Sequence, residues 1–217
     1  MKSKTGNGHK LVPATRSVDR MGDESTTQGG DGATPILGQS GREIQAFGSV
    51  VSMPIGLSDD VRRQVCERLN QILADTKTLA DLYKKHHWQV SGHTFYQLHL
   101  LFDKHFGEQA ELVDTVAERI QILGGVSVAM GGDVAELTRI PRPPKGRESV
   151  PVQISRLAQA HEMIITLARE TASMAGDLGD EGTNDMLISD VVRTNELQAW
   201  FLTEHVVDTP LVKAEDA

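Results

Sequence analysis

The chain has 217 residues, 39% hydrophobic and 24% charged, with a net charge of −8 and one cysteine, Cys66. That length and apolar content suit one folded domain with a tail, the lone cysteine excludes an intrachain disulfide and fits a reducing compartment, and no apolar run approaches the ~18 residues of a membrane span. Lys2, Lys4, Lys10, Arg16 and Arg20 against Asp19 give the first twenty residues +4, which leaves −12 of the net −8 on the remainder, a body that attracts cations and repels a phosphate backbone.

Residues 1–45 are rich in Gly, Ser, Thr and Asp and show neither helical nor strand period, so they read as a disordered, flexible tail. Its lysines precede no apolar segment, and no secretory signal is expected. A folded domain over 46–210 follows, with a short C-terminal tail at 211–217. Ser58, Asp59 and Asp60 form a helix N-cap with acids in the first turn. Behind them Val61, Val65, Leu69, Ile72, Leu79 and Tyr83 recur at helical spacing to about Val90, where Ser91-Gly92 breaks the pattern. A second helix runs from about Phe95 to Leu123, with Leu98, Phe102, Phe106, Val113, Val116 and Ile120 inward, and Gly124-Gly125 stops it. A long connection containing IPRPPKGRES follows, with a short helix near Asp133 to Leu137. A third helix covers about Val150 to Leu178, with Leu157, His161, Ile164 and Ala168 on one stripe. GDLGDEGTND forms a turn, and a fourth helix spans about Thr183 to Val207. No segment reads as a strand. Four long helices with one long crossover between the second and third describe an all-α, ferritin-like four-helix bundle.

The second helix raises a problem of distance. On a helical wheel His99, Asp103, Asp114 and Glu118 share a stripe about a quarter-turn wide, at about 100° per residue. His99 and Asp103 form one i,i+4 pair; Asp114 and Glu118 form another. At ~1.5 Å per residue the pairs lie about 22 Å apart, too far for one ion. Two copies of this helix, antiparallel about a two-fold axis, would set each pair opposite the other. His87, near the end of the first helix, joins if the bundle brings it beside His99. Two imidazoles and three carboxylates from two chains suit Fe(II), and also zinc or manganese. Spacing alone leaves the alternative of a solvated polar face open.

The segment His87-Trp88-x3-Gly92-x6-His99-x3-Asp103-x10-Asp114-x3-Glu118-Arg119, continuing through ILGG at 122–125, resembles the Dps family, the miniature ferritins that protect DNA in starved bacteria. The resemblance implies that His87, His99, Asp103, Asp114 and Glu118 are ferroxidase ligands. It further implies a twelve-subunit shell with sites at two-fold interfaces, oxidation of Fe(II) preferentially by hydrogen peroxide, with O2 as the other oxidant, and storage of a ferric mineral core. A cytoplasmic, nucleoid-associated place in a bacterium goes with it. Zinc is the expected competing ion. An ordinary ferritin with an intrachain site is disfavoured, since no glutamate has a histidine three residues later.

In the same comparison Trp88 falls where the family usually has Trp, either donating an electron when iron is short or packing at a subunit contact. The acids Asp177, Glu181 and Asp185 fall in the turn that lines the family's three-fold iron-entry pore. Asp177 fits that pattern loosely, because the first pore acid aligns with Gly176. Lys2, Lys4, Lys10, Arg16 and Arg20 are the expected contacts for non-specific, salt-sensitive DNA binding, strengthened by avidity on a shell. His86, His93 and His105 are extra, His105 lying about 120° off the stripe of the second helix; all three are expected at the surface, with an auxiliary iron site as the alternative. His161 is expected to be a hydrogen-bonded core histidine, and Trp200 to lie in the core or an interface. The rival function is a structural DNA-compacting protein whose metal site is vestigial or holds zinc.

Overall fold

The computed structural model describes residues 41–207, together with Leu37. Lys2, Lys4, Lys10, Arg16, Arg20 and residues 211–217 lie outside the described residues, as does nearly all of the predicted tail. A compact unit opens at Glu43. The described residues contain helices and no strand, and no helix among them is long and apolar enough to cross a membrane.

Helix α1 (Asp59–Gln89) starts where Ser58 Oγ accepts the Val61 N–H at 3.3 Å, with Asp59 and Asp60 at the positive end of the helix dipole. It ends at Val90, and Gly92 turns the chain with φ +101°. Helix α2 (Phe95–Ile122) stops in a Schellman motif. Gly124 N–H donates to Gln121 at 2.8 Å and Gly125 N–H to Ile120 at 2.9 Å. The crossover that follows contains α3 (Gly131–Leu137), which packs on α1. Asn70 ties the crossover to α1 by donating to Val126 O and accepting from the Val128 N–H. Helix α4 (Val150–Asp177) begins with a proline in its first turn and ends at Gly179, again in a Schellman motif.

The last predicted helix differs from its expectation. It is α5 (Glu181–Met186), a π-helical segment (Leu187–Val192) and α6 (Arg193–Thr203), and it ends short of Val207. Just beyond the widened turn Asn195 Nδ2 donates to the Val191 carbonyl at 2.7 Å. Asp180 caps α5: its buried carboxylate accepts from Thr183 N–H and from the Arg119 guanidinium of α2.

Helix α1 packs against α2 and α4, and α4 against α6, closing a four-helix bundle. Leu69, Ile72, Phe102, Ile120, Leu157 and Ile164 are sealed from water at its centre, each contributing roughly 1.5–3 kcal/mol of burial. Arg62 is the largest buried side chain, and its guanidinium donates to Val51 O and Leu123 O and pairs with Asp59. It therefore clamps the segment before α1 onto the end of α2. Gly124 sits in this clamp at φ +79°, and a Cβ there would lie 2.5 Å from Val51 O and 2.9 Å from Arg62 Nη1. Gly124→Ala adds a left-handed strain to a backbone clash. It should lower unfolding free energy by about 2–3 kcal/mol, read from the urea midpoint at unchanged slope.

His161 is fully buried, as expected, bonded to Tyr83 and Asn195. Burial pushes its pKa down to about 3, the Asn195 bond opposing and the charge of a protonated His105 adding to the fall. Its ordinary value is ~6.5, so below that pH the unfolded chain takes up a proton that the folded chain refuses. Stability conferred by neutral His161 is complete above pH ~6.5 and falls as pH drops toward 3, by up to about 1.4 kcal/mol per pH unit. Urea midpoints measured from pH 7.5 to 4 should show this slope, reduced in His161→Gln.

Candidate metal centre

The end of α1 and the start of α2 bring His87 and His99 together. Their rings lie face to face, centroids 3.8 Å apart and planes 17° from parallel. Each Nδ1 donates to the other residue's main-chain carbonyl, His87 to His99 O at 2.8 Å and His99 to His87 O at 2.9 Å. A carbonyl oxygen only accepts, so both Nδ1 atoms carry the proton and both Nε2 atoms keep a lone pair. This reciprocal clasp fixes the tautomer and ring plane that a metal-binding histidine needs. The Phe95 ring covers His99 at 5.1 Å.

Asp103, one turn beyond His99, places Oδ1 3.9 Å from His87 Nε2. Lys84 Nζ bonds the same oxygen at 2.5 Å and lies 4.5 Å above the Phe106 ring centroid. That hydrogen bond, more than any other influence, holds the Asp103 carboxyl below the usual carboxylate range. Lys84 was not singled out in the sequence; its i+3 position before His87 was the available signal. The structure thus gathers His87, His99 and Asp103 and leaves Asp114 and Glu118 exposed, farther along α2. Among the described residues no three His, Cys, Asp or Glu side chains of one chain converge closely enough to hold a metal ion. Two imidazole nitrogens and one carboxylate are donors of intermediate hardness, a set that would suit Fe(II) if further carboxylates joined it.

Two surface assignments are corrected. His86 is fully buried beside Phe102, ring centroids 6.4 Å apart, and neither of its ring nitrogens has a hydrogen-bond partner among the described residues. Burial pushes its pKa down to about 4. His105 is buried too and bonds Tyr83 Oη through Nδ1 at 3.1 Å, with its pKa lowered to about 4 by burial. Both continue apolar stripes, His86 three residues after Tyr83 and His105 three after Phe102, which is the signal that would have placed them inside. His93 is exposed as expected. Trp88 is exposed. Trp200 is exposed in the chain rather than in the core, edge-on to Phe201, with Nε1–H donating to Glu204 at 3.0 Å.

The turn between α4 and α5 presents Asp177, Glu181 and Asp185 to solvent. Glu181 accepts from Asn184 at 3.3 Å and Asp185 from Ser189 at 2.9 Å. Asp180, in the same acidic run, points inward to Arg119 and Thr183, so it is structural.

The ferritin-like domain family matches residues 66–212. The solved structure of DpsC from Streptomyces coelicolor superposes with a TM-score of 0.78 at 59% identity, over 79% of this chain and all of that one. A Kitasatospora aureofaciens protein named for the bpoA2 5′ region is 53% identical, over 67% of this chain and 97% of its own length. A nutrient stress-induced DNA-binding protein of Nostoc is 35% identical, over 70% of this chain and 83% of its own.

Proposed function

The chain belongs to the ferritin-like family and, within it, to the Dps proteins, and from that premise we propose that it oxidises Fe(II), with hydrogen peroxide or O2 as oxidant, at sites shared between two subunits. The ferric product is stored inside a shell of twelve. The observation that carries this reading is the His87–His99 clasp, which presets both Nε2 lone pairs and sets His87 Nε2 3.9 Å from Asp103 Oδ1. A site missing half its donors is what the sequence predicts for one subunit taken alone. Asp114 and Glu118, exposed on the same stripe of α2, complete it when a second subunit lies antiparallel across a two-fold axis.

Each residue has its task in this mechanism. The two imidazoles would offer their Nε2 lone pairs to ferrous iron without a rotamer search, because the clasp has already ordered them. Asp103 exchanges its Lys84 contact for the incoming ion, and the ammonium stays close enough to offset negative charge on the carboxylates. Asp114 and Glu118 of the partner favour the ferric state, since hard carboxylates bind the more highly charged ion better. Two ferrous ions then supply both electrons that reduce one peroxide to water, and no hydroxyl radical is released. Asp177, Glu181 and Asp185, repeated around a three-fold axis, would draw cations inward. Zinc, which accepts the same donors, competes with iron.

Anaerobic loading with Fe(II), then peroxide, tests this by counting irons oxidised per peroxide consumed. Two per peroxide, abolished in His87→Ala/Asp114→Asn, is the expected result. A count equal to that of free iron, or unchanged in the variant, would sink the ferroxidase reading and favour DNA compaction. Protection of DNA belongs to the same proposal: the name of the Nostoc relative and the +4 charge of the first twenty residues support it, and the −12 of the remainder makes it salt-sensitive. A cytoplasmic, nucleoid-associated location follows from that role.

A further inference from the structure

One turn before His87, the phenol of Tyr83 is buried in the bundle within a directed chain of hydrogen bonds. Its direction can be read from the far end. Asn195 Nδ2 donates to Val191 O at 2.7 Å, which turns its amide oxygen toward His161. His161 Nδ1 therefore donates to Asn195 Oδ1, at 2.8 Å, and His161 Nε2 carries a lone pair. Tyr83 Oη lies 2.5 Å from that nitrogen and donates to it. His105 Nδ1 in turn donates to the phenol oxygen at 3.1 Å. Gln109 braces the far end with its own bond to Asn195 Oδ1 at 3.2 Å. On the other side, the Phe102 ring packs 6.0 Å from the Tyr83 ring, and Asp103 is the next residue.

A phenol loses an electron readily only when its proton has somewhere to go at the same time. Here the proton has a direct hydrogen bond to an imidazole nitrogen that carries a lone pair, buried in the bundle and braced by an amide. We propose that Tyr83 is a one-electron donor to the iron site, with His161 as the acceptor of its proton. This rests on the ferroxidase reading and adds to it a use for the buried network, which the two-iron reaction leaves idle. With two ferrous ions bound, iron supplies both electrons. With one bound, iron supplies one electron and Tyr83 the other; peroxide and two solvent protons become two waters. The O–H bond of Tyr83 breaks, its proton forms an N–H bond at His161 Nε2, and the products are ferric iron, a neutral tyrosyl radical and an imidazolium. The next ferrous ion returns the electron, and His161 returns the proton. The device prevents a single iron from splitting peroxide into hydroxyl radical.

The test is freeze-quench electron paramagnetic resonance of the assembled protein, loaded anaerobically with one Fe(II) per two-fold site and mixed with peroxide. The chain has two tyrosines, Tyr83 and Tyr96, so ring-deuterated tyrosine together with Tyr96→Phe assigns the radical without disturbing the network. The expected result is a radical that narrows on tyrosine deuteration and persists in Tyr96→Phe and in Trp88→Phe. Tyr83→Phe should abolish it and raise spin-trapped hydroxyl radical at this low loading, with two irons per peroxide retained at full loading. A radical sensitive to tryptophan deuteration only, one lost in Tyr96→Phe, or no radical at all, with the full-loading count intact, overturns the proposal and leaves the ferroxidase reading standing. A full-loading count that matches free iron overturns both.

Discussion

Subunits lacking the histidine half of the site should be rescued by subunits lacking the carboxylate half. Alone, the His87→Ala/His99→Ala and Asp114→Asn/Glu118→Gln variants should each lose peroxide-driven Fe(II) oxidation by about 100-fold or more, since each site is missing two donors. In shells formed by equal co-expression, half of the two-fold pairs are mixed. One site of each mixed pair receives both histidines from one chain and both carboxylates from the other, while its mate receives neither. Mixed shells should therefore recover about a quarter of the wild-type rate. Differential tags on the two chains verify mixing, and initial oxidation rates give the answer. Verified mixed shells with no recovery would exclude a shared site. The physical basis is the geometry of α2: a straight helix holds its two ligand pairs about 22 Å apart, so only a second chain can join them.

The largest expected effect on stability lies away from that site, at Asp75. Its carboxylate is fully buried on α1. It accepts the Arg139 N–H at 2.8 Å, Arg139 Nη2 at 2.9 Å and Nε at 3.1 Å, and the Thr138 hydroxyl at 3.1 Å. One side chain thus fastens the middle of the crossover to the bundle just after α3. Asp75→Ala strands the Arg139 N–H and leaves a cavity. The Arg139 side chain is 42% exposed and recovers part of its solvation from water. The cost is therefore at the low end for a broken buried ion pair, about 3 kcal/mol. Asp75→Asn keeps the shape and an acceptor and should cost about half as much. Urea unfolding gives both values, and hydrogen exchange should show lost protection concentrated at 128–140. Equal costs for the two variants would mean that charge is the whole effect and the bond to the Arg139 N–H contributes little.

Much of this protein is local and therefore legible in sequence. The bounds of α1, α2 and α4 follow from Ser58, from Gly124 and from Gly179, because caps and left-handed glycines act within a turn. The His99, Asp103, Asp114, Glu118 stripe of α2 is legible for the same reason, since i,i+4 geometry is a property of one helix. What only tertiary structure decides depends on how one helix is registered against another. The π-helical segment at Leu187–Val192 has no marker in its own residues; it accompanies the Asn195 side chain, which reaches back to Val191 and across to His161. The burial of His86 and His105 follows from their neighbours on α1 and α2, but the partner of His105 is a tyrosine on another helix, and no spacing within α2 could name it. The clasp between His87 and His99 has the same origin: each ring needs a carbonyl twelve residues away. Four helices, one crossover and two polar i,i+4 pairs about 22 Å apart on α2 were readable from residue order alone. The packing of α1 on α2 and of α4 on α6 decided which imidazole nitrogens are bonded to carbonyls and which imidazole the Tyr83 phenol meets, because hydrogen bonds between helices depend on register, and register is set by the whole core at once.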